Sequence, residues 1–137
     1  MVVEDCMSVD PFVVQVTESV GRVWSKLLEA DVRHLPVVED GTLVGIVSDR
    51  DLQRALAARV PGGILVRSQD ALERPISTLM SSDVISVHRE TELEEVIDLM
   101  IEHKIGAIPV VESDGMKLVG IVSYIDLLRV ARSALVG

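Results

Sequence analysis

The hexapeptide LVGIVS occurs twice in this chain, at residues 43–48 and 118–123, each time shortly after PVVE and followed at the same distance by Asp and Leu. A unit of about sixty residues buries too little surface to stand comfortably alone and is too long for a solenoid repeat, so two copies predict one paired domain. Pro36 and Pro109 lie 73 residues apart, and the same offset carries Met7 to Met80, Asp10 to Asp83, Val14 to Val87, Val23 to Val96 and Glu29 to Glu102. Beyond PVVE the offset becomes 75, as from Gly45 to Gly120, because the turn EDG of the first copy is ESDGMK in the second. Loops tolerate such a length change, and strands do not.

Within each copy the hydrophobic period changes in the same order. FVVQV (12–16) and VISV (84–87) are short β-branched runs and read as strands. Val20, Val23, Trp24, Leu27 and Leu28 then fall at helical spacing, as do Leu93, Val96, Ile97, Met100 and Ile101. Both sets predict an amphipathic helix with one core-facing stripe. Thr91 followed by Glu94 has the spacing of a capping box at the start of the second helix, and His103 with Lys104 suits its C-terminal end. HLPVV and AIPVV read as strands joined through DG-containing turns to TLVGIVS and KLVGIVS. Helices follow at about 49–59, with Leu52, Ala55 and Leu56 inward, and at 124–135, with Leu127, Val130, Ala131 and Ala134 inward. VEDCM and ISTLM match at the 73 offset, so each copy is expected to begin with a helical turn.

This order gives a first repeat at 1–60, a linker at 61–75 and a second repeat at 76–137, the two repeats forming one module. Around ILVRSQDALE the linker carries Pro61, Gly62, Gly63 and Pro75 as breakers, and both an ordered segment and a flexible loop fit it.

Composition excludes several classes of function. With 137 residues, 48% of them hydrophobic, there is material for one well-buried core. Phe12, Trp24 and Tyr124 are the whole aromatic set, so stacking platforms for single-stranded nucleic acid are absent. The net charge of −9 opposes a phosphate-tracking surface, so no nucleic acid is expected as partner, and control of transcription by direct DNA contact is disfavoured. No apolar run approaches the roughly 18 to 20 residues of a membrane helix, and no membrane partner is expected. The opening MVVEDCMSVD carries acids without a basic segment, so no secretory signal is expected. Cys6 is the single cysteine, which excludes an internal disulfide and fits a reducing cytoplasm. Cys6, His34, His88 and His103 lie on different elements, and no nucleophile trio or metal spacing emerges. Asp49 and Asp51 are spaced to point apart, a poor carboxylate pair. The chain reads as no enzyme and as holding no metal.

Two copies of PVV, an acidic Gly turn, LVGIVS and then Asp resemble the CBS domain, named from cystathionine β-synthase, which occurs as tandem pairs. The resemblance covers nearly the whole chain apart from the linker. It implies an α/β (α+β) fold of two β-α-β-β-α repeats packed about a pseudo-twofold axis, each a three-stranded sheet against two helices, in a stand-alone pair. It further implies a homodimer shaped as a flat disc and adenosine-containing ligands in two clefts between the copies.

The family's ribose signature runs Gly, two apolar residues, Ser or Thr, two variable residues, then Asp. Here it stands as GIVSDRD at 45–51 and GIVSYID at 120–126. A Ser where a strand feeds a helix can present its hydroxyl and the first free N–H groups to a ribose or phosphate, and an Asp one turn on can accept from vicinal hydroxyls. A plainer reading is that Ser48 with Asp51, and Ser123 with Asp126, cap their helices, worth roughly 1 kcal/mol each, and the two roles can coexist.

Carried onto this chain, the resemblance builds a first cleft from Ser48, Arg50, Asp51 and His34, with Val84, Ile85, Ile105 and Gly106 as an apolar slot for a base. Arg50 suits phosphate oxygens and His34 adds a donor. A second cleft would hold Ser123, Asp126 and Ala107 with Pro11, Phe12, Val32 and Arg33. There Tyr124 and Ile125 replace Asp49 and Arg50, and Ala107 replaces His34, so most family-like phosphate contacts are missing. Plainer roles stand beside these: Arg50 as a solvated helix residue, His34 as an exposed residue at a strand start, His88 and His103 as surface positions, Trp24 as core filler, and Val84, Ile85 and Ile105 as ordinary core. The resulting expectation is a cytoplasmic regulatory module for signal transduction that takes AMP, ADP, ATP or S-adenosylmethionine as regulatory ligand and acts on an unknown effector protein. The alternative is a ligand-free interaction or dimerisation module.

Overall fold

Residues 1–56 and 69–136 are described by the computed structural model, and they divide into two compact units, Phe12–Val84 and Met1–Pro11 with Ile85–Gly137. Chain order is β1 (Ser8–Val9), β2 (Val14–Gln15), α1 (Val20–Ala30), β3 (His34–Glu39), β4 (Thr42–Ser48), α2 (Asp49–Leu56), α3 (Gln69–Glu73), α4 (Leu93–His103), β5 (Ala107–Val111), β6 (Leu118–Ser123) and α5 (Tyr124–Val136). Short 3-10 turns at Val3–Asp5 and Ile76–Thr78 open the two copies at the expected places.

In the Phe12–Val84 unit, Ser19 caps α1 by accepting from the Arg22 N–H at 3.2 Å. The helix buries Val20, Val23 and Leu27, lays Trp24 half-buried against the core and leaves Leu28 66% exposed. Asp31 ends it in the left-handed region at φ 52°, where a short polar side chain is tolerated. The sheet runs β2-β3-β4, with β2 parallel to β3 and β3 antiparallel to β4. Asp40 and Gly41, at φ 52° and 79°, turn β3 into β4 with the twist a two-residue hairpin requires. The core gathers Val14, Leu35, Val37, Val47 and Leu52 under α1, and Ile76 joins it from the opening turn of the second copy.

The other unit repeats this plan. Its core contains Val87, Leu93, Val96, Met100, Ile108, Val110 and Val122, joined by Val3 from the first copy's opening turn. Its sheet runs β1-β6-β5, and Val87 bridges Val110 in parallel beyond β5. In the Phe12–Val84 unit the counterpart of the β1–β6 pairing is Ile46 with Ser81, which exchange backbone bonds of 3.0 and 2.9 Å.

The repeat bounds at 1–60 and 76–137 are therefore not the bounds of the compact units: the opening segment of each copy pairs with the last strand of the other copy's sheet. The pairing consumes a strand edge that would otherwise expose unpaired N–H and C=O groups. Glycine makes room for it. A Cβ on Gly120 would lie 2.7 Å from the Ser8 carbonyl oxygen, and one on Gly45 2.6 Å from the Met80 sulfur and 3.0 Å from the Ser81 oxygen.

Expectations about individual elements need correction. Of FVVQV only Val14–Gln15 is strand, and of VISV only Val87 pairs. Near the end of each run a side chain takes a backbone donor, Glu18 accepting from the Gln15 N–H at 2.6 Å and Thr91 from the His88 N–H at 3.0 Å. Thr91 is consequently not the cap of α4; Glu92 holds that position without a side-chain bond. The helical stripes are narrower than the spacing predicted, since Ile97 and Ile101 are exposed on α4, as are Ala131 and Ala134 on α5. Leu52 is buried as expected, whereas α2 beyond Leu56 and most of the linker, 61–68, lie outside the described residues.

Candidate functional site

Two strand-to-helix corners carry the residues singled out by the signature. In the Phe12–Val84 unit, register pairs His34 of β3 with Ser48 of β4, making the two side chains cross-strand neighbours at the end of the hairpin. The chain then enters α2, and the Asp49 N–H donates to the Arg33 carbonyl at 2.9 Å, tying the first helical residue to the approach to β3. Ser48 Oγ accepts from the Asp51 N–H at 3.1 Å, while Asp51 Oδ2 accepts from the Ser48 N–H at 3.1 Å. This reciprocal pair satisfies donors a helix start leaves free and fixes the carboxylate in place. The capping role is real, and it engages one of the two carboxylate oxygens.

His34 is half-buried, and that burial pushes its imidazole below the ordinary range; Asp49 and Asp51 pull the other way without overcoming it, and Arg33 adds to the lowering. The ring is thus neutral near pH 7, with one nitrogen donating and the other accepting. Arg50 is exposed at the helix start, its N–H donating to Asp49 Oδ1 at 2.8 Å.

The corner in the other unit follows the same template with different occupants. Ala107 pairs with Ser123 across β5 and β6, and the Tyr124 N–H donates to the Gly106 carbonyl at 2.9 Å. Asp126 Oδ2 accepts from the Ser123 N–H at 2.8 Å and from its hydroxyl at 3.1 Å, and Ser123 Oγ accepts from the Asp126 N–H at 3.3 Å. Arg129 Nη1 stands 3.7 Å from Asp126 Oδ1, and Asp126 is 8% exposed. Arg129 was not foreseen, although its spacing of three from Asp126 on a helix is a recognised pairing signal.

The remaining candidates sit as follows within their own units. Val84 and Pro11 are half-buried, while Phe12, Val32 and Arg33 are exposed. Ile85 and Ile105 pack partly buried against the core of the unit that contains them, and Gly106 is half-buried. His103 is exposed; His88 is exposed too, with Nδ1 3.2 Å from the Val111 carbonyl oxygen. Cys6 is half-buried, and burial, with Asp126 and Asp5 nearby, pushes its thiol pKa up, away from nucleophilic use at neutral pH. Among the described residues no group of three His, Cys, Asp or Glu side chains could hold a metal ion, and no helix is long and apolar enough to cross a membrane.

Chemically, each corner offers a carboxylate fixed at a helix start, and that of Asp51 has no partner at Oδ1 among the described residues. Only the first adds a neutral imidazole; a guanidinium belongs to both, Arg50 exposed at the first and Arg129 facing Asp126 at the second.

Comparison with known proteins gives concordant results. The sequence profile of the CBS domain matches residues 3–58 and 76–133. The CBS domain-containing protein YhcV of Bacillus subtilis is 30% identical over 125 residues, 91% of this chain and 81% of its own. The CBS domain pair of protein MJ0100, solved in complex with 5'-methylthioadenosine and S-adenosyl-L-methionine, aligns with a TM-score of 0.81 at 27% identity over 98% of both chains. CBSX2 of Arabidopsis thaliana, solved in complex with AMP, aligns with a TM-score of 0.79 at 30% identity over 97% of both chains.

Proposed function

The chain belongs to the CBS domain family, and on that footing we propose that its Ser48–Asp51 corner binds the ribose of an adenine nucleotide or other adenosyl ligand, making the chain a non-catalytic regulatory sensor. One observation carries the reading. The carboxylate of Asp51 is held by the Ser48 N–H through Oδ2, and among the described residues nothing engages Oδ1. An oxygen fixed in position with open lone pairs is what a vicinal diol requires, and prior fixation spares the ordering cost on binding. His34 beside Ser48 and the exposed Arg50 are the groups proposed to meet phosphate or sulfonium substituents, Arg50 favouring the former.

Regulation in this reading is a population shift. The ligand favours whichever arrangement of the chain binds it more tightly, and a tenfold difference in affinity moves the balance by about 1.4 kcal/mol. Calorimetric titration with AMP, ADP, ATP and S-adenosylmethionine, paired with thermal melting, is the test. A saturable heat and a raised midpoint with at least one ligand are expected, since a ligand at a hundred times its Kd stabilises by about 2.7 kcal/mol. No heat and no stabilisation with any of the four removes the reading.

A second reading, an interaction and dimerisation module, draws on the apolar side chains that α4 and α5 leave exposed, among them Ile101, Leu128 and Leu135. It is distinguished by Asp51→Ala: if partner binding and melting are the same in that variant with and without nucleotide, interaction rather than sensing is the function.

A further inference from the structure

We propose that the two corners have parted in role: the Ser48–Asp51 corner takes the ligand, whereas Asp126 is a structural cap held by Ser123 and Arg129, so that one chain binds one adenosyl ligand. This rests on the reading of the first corner given above and adds what separates the second corner from it.

A carboxylate has two oxygens and about four lone-pair positions, and a diol must find some of them open and facing outward. At Asp126 fewer are open than at Asp51. Oδ2 accepts both the N–H and the hydroxyl of Ser123, at 2.8 and 3.1 Å, and Oδ1 faces the Arg129 guanidinium at 3.7 Å. The residue is 8% exposed, so an incoming diol would have to displace a cation and uncover the carboxylate before gaining anything. At Asp51 the Oδ2 atom accepts one donor at 3.1 Å, and among the described residues Oδ1 has none. Ser48 keeps its hydroxyl proton uncommitted among the described residues, where Ser123 gives its own to Asp126.

The difference does not come from the helix residue alone. Arg54 occupies the place in α2 that Arg129 occupies in α5, yet among the described residues it forms no ion pair with Asp51. What changes with it is the cross-strand neighbour of the serine, His34 in one corner and Ala107 in the other. An alanine contributes no polar atom, so the second corner lacks the imidazole that stands across from the serine in the first. Duplication has thus left one copy of the signature for recognition and one for folding.

The test uses the full chain titrated with AMP, ADP, ATP and S-adenosylmethionine, with Asp51→Ala, Asp126→Ala, Asp126→Asn and Arg129→Met beside the wild type, and with melting of every variant without ligand. The expected result is one ligand per chain, at least a tenfold loss of affinity in Asp51→Ala, affinity within twofold of wild type in Arg129→Met, and a larger fall in melting midpoint for Asp126→Ala than for Asp51→Ala. Should Asp126→Ala not fold, Asp126→Asn supplies the same comparison with the side chain's shape retained. Two equivalent ligands per chain, or a tenfold loss of affinity in the Asp126 variant, overturns the division of roles while leaving the sensor reading intact. No binding by the wild type removes the sensor reading instead; the ligand-free melts then still decide the structural half, which is overturned if Asp51→Ala costs as much as Asp126→Ala.

Discussion

At the residue scale, the same groups meet different surroundings in the two copies of one motif. His34 sets the first prediction. Burial lowers its pKa, so the folded chain binds fewer protons than the unfolded chain once pH falls below the ordinary histidine value of about 6.5. Its contribution to stability is complete above that pH and is lost as pH falls through the window below it, levelling off under the folded-state pKa. Melting of wild type and His34→Gln from neutral to acid pH should show a shallower decline in the variant; parallel declines would mean the imidazole is free in water. Asp51→Ala, without ligand, removes one acceptor of a helix cap and should cost about 1 kcal/mol in urea unfolding. Ser48, Asp51, Ser123 and Asp126 were legible from the spacing of the signature, because capping and ribose recognition ask for the same residue types at the same interval. The roles of Thr91 and Arg129 were not, since a threonine near a helix start can serve either of two backbone donors and a surface arginine has many rotamers. Trp24 and Leu28 sit four apart on one stripe, and only packing separates the half-buried ring from the exposed leucine.

At the scale of elements, helices and hairpins followed the sequence closely, because α1, α4 and the two PVV hairpins each carry a periodic pattern and a turn of known chemistry. The opening segments did not. Met7 and Met80, and Asp10 and Asp83, repeat at the 73 offset, yet nothing in a strand two residues long states which sheet it will join. The glycines hold that information in physical form. Gly120→Ala places a methyl 2.7 Å from the Ser8 carbonyl, a rigid backbone atom, whereas Gly45→Ala meets chiefly the flexible Met80 side chain. Overpacking costs about 1–3 kcal/mol, and Gly120→Ala should lie at the upper end with Gly45→Ala below it. Hydrogen exchange should show the Ser8–Val9 pairing opened in Gly120→Ala; equal, small effects in both variants would contradict the close approach.

For the whole molecule, the exchange of opening segments decides what can fold alone. A fragment of residues 76–137 lacks Met1–Pro11, whose Val3 fills the core and whose β1 pairs with β6, and should show no cooperative melting. A fragment of residues 12–84 retains every segment of its unit, Ile76 included, and should melt cooperatively, though at a lower midpoint as small cores do. Calorimetry on both fragments checks this, and a cooperative transition in 76–137 would show that the opening segment is dispensable. The duplication itself was plain in the sequence, while the sharing of segments between its halves was not. A crystal grown with AMP, read for the distance from the ribose hydroxyls to the carboxylates, decides between the two corners. Both hydroxyls are expected within hydrogen-bond reach of Asp51 Oδ1 with no ligand at Asp126; a ribose seated on Asp126, with the Asp51 corner bare, would contradict the division of roles.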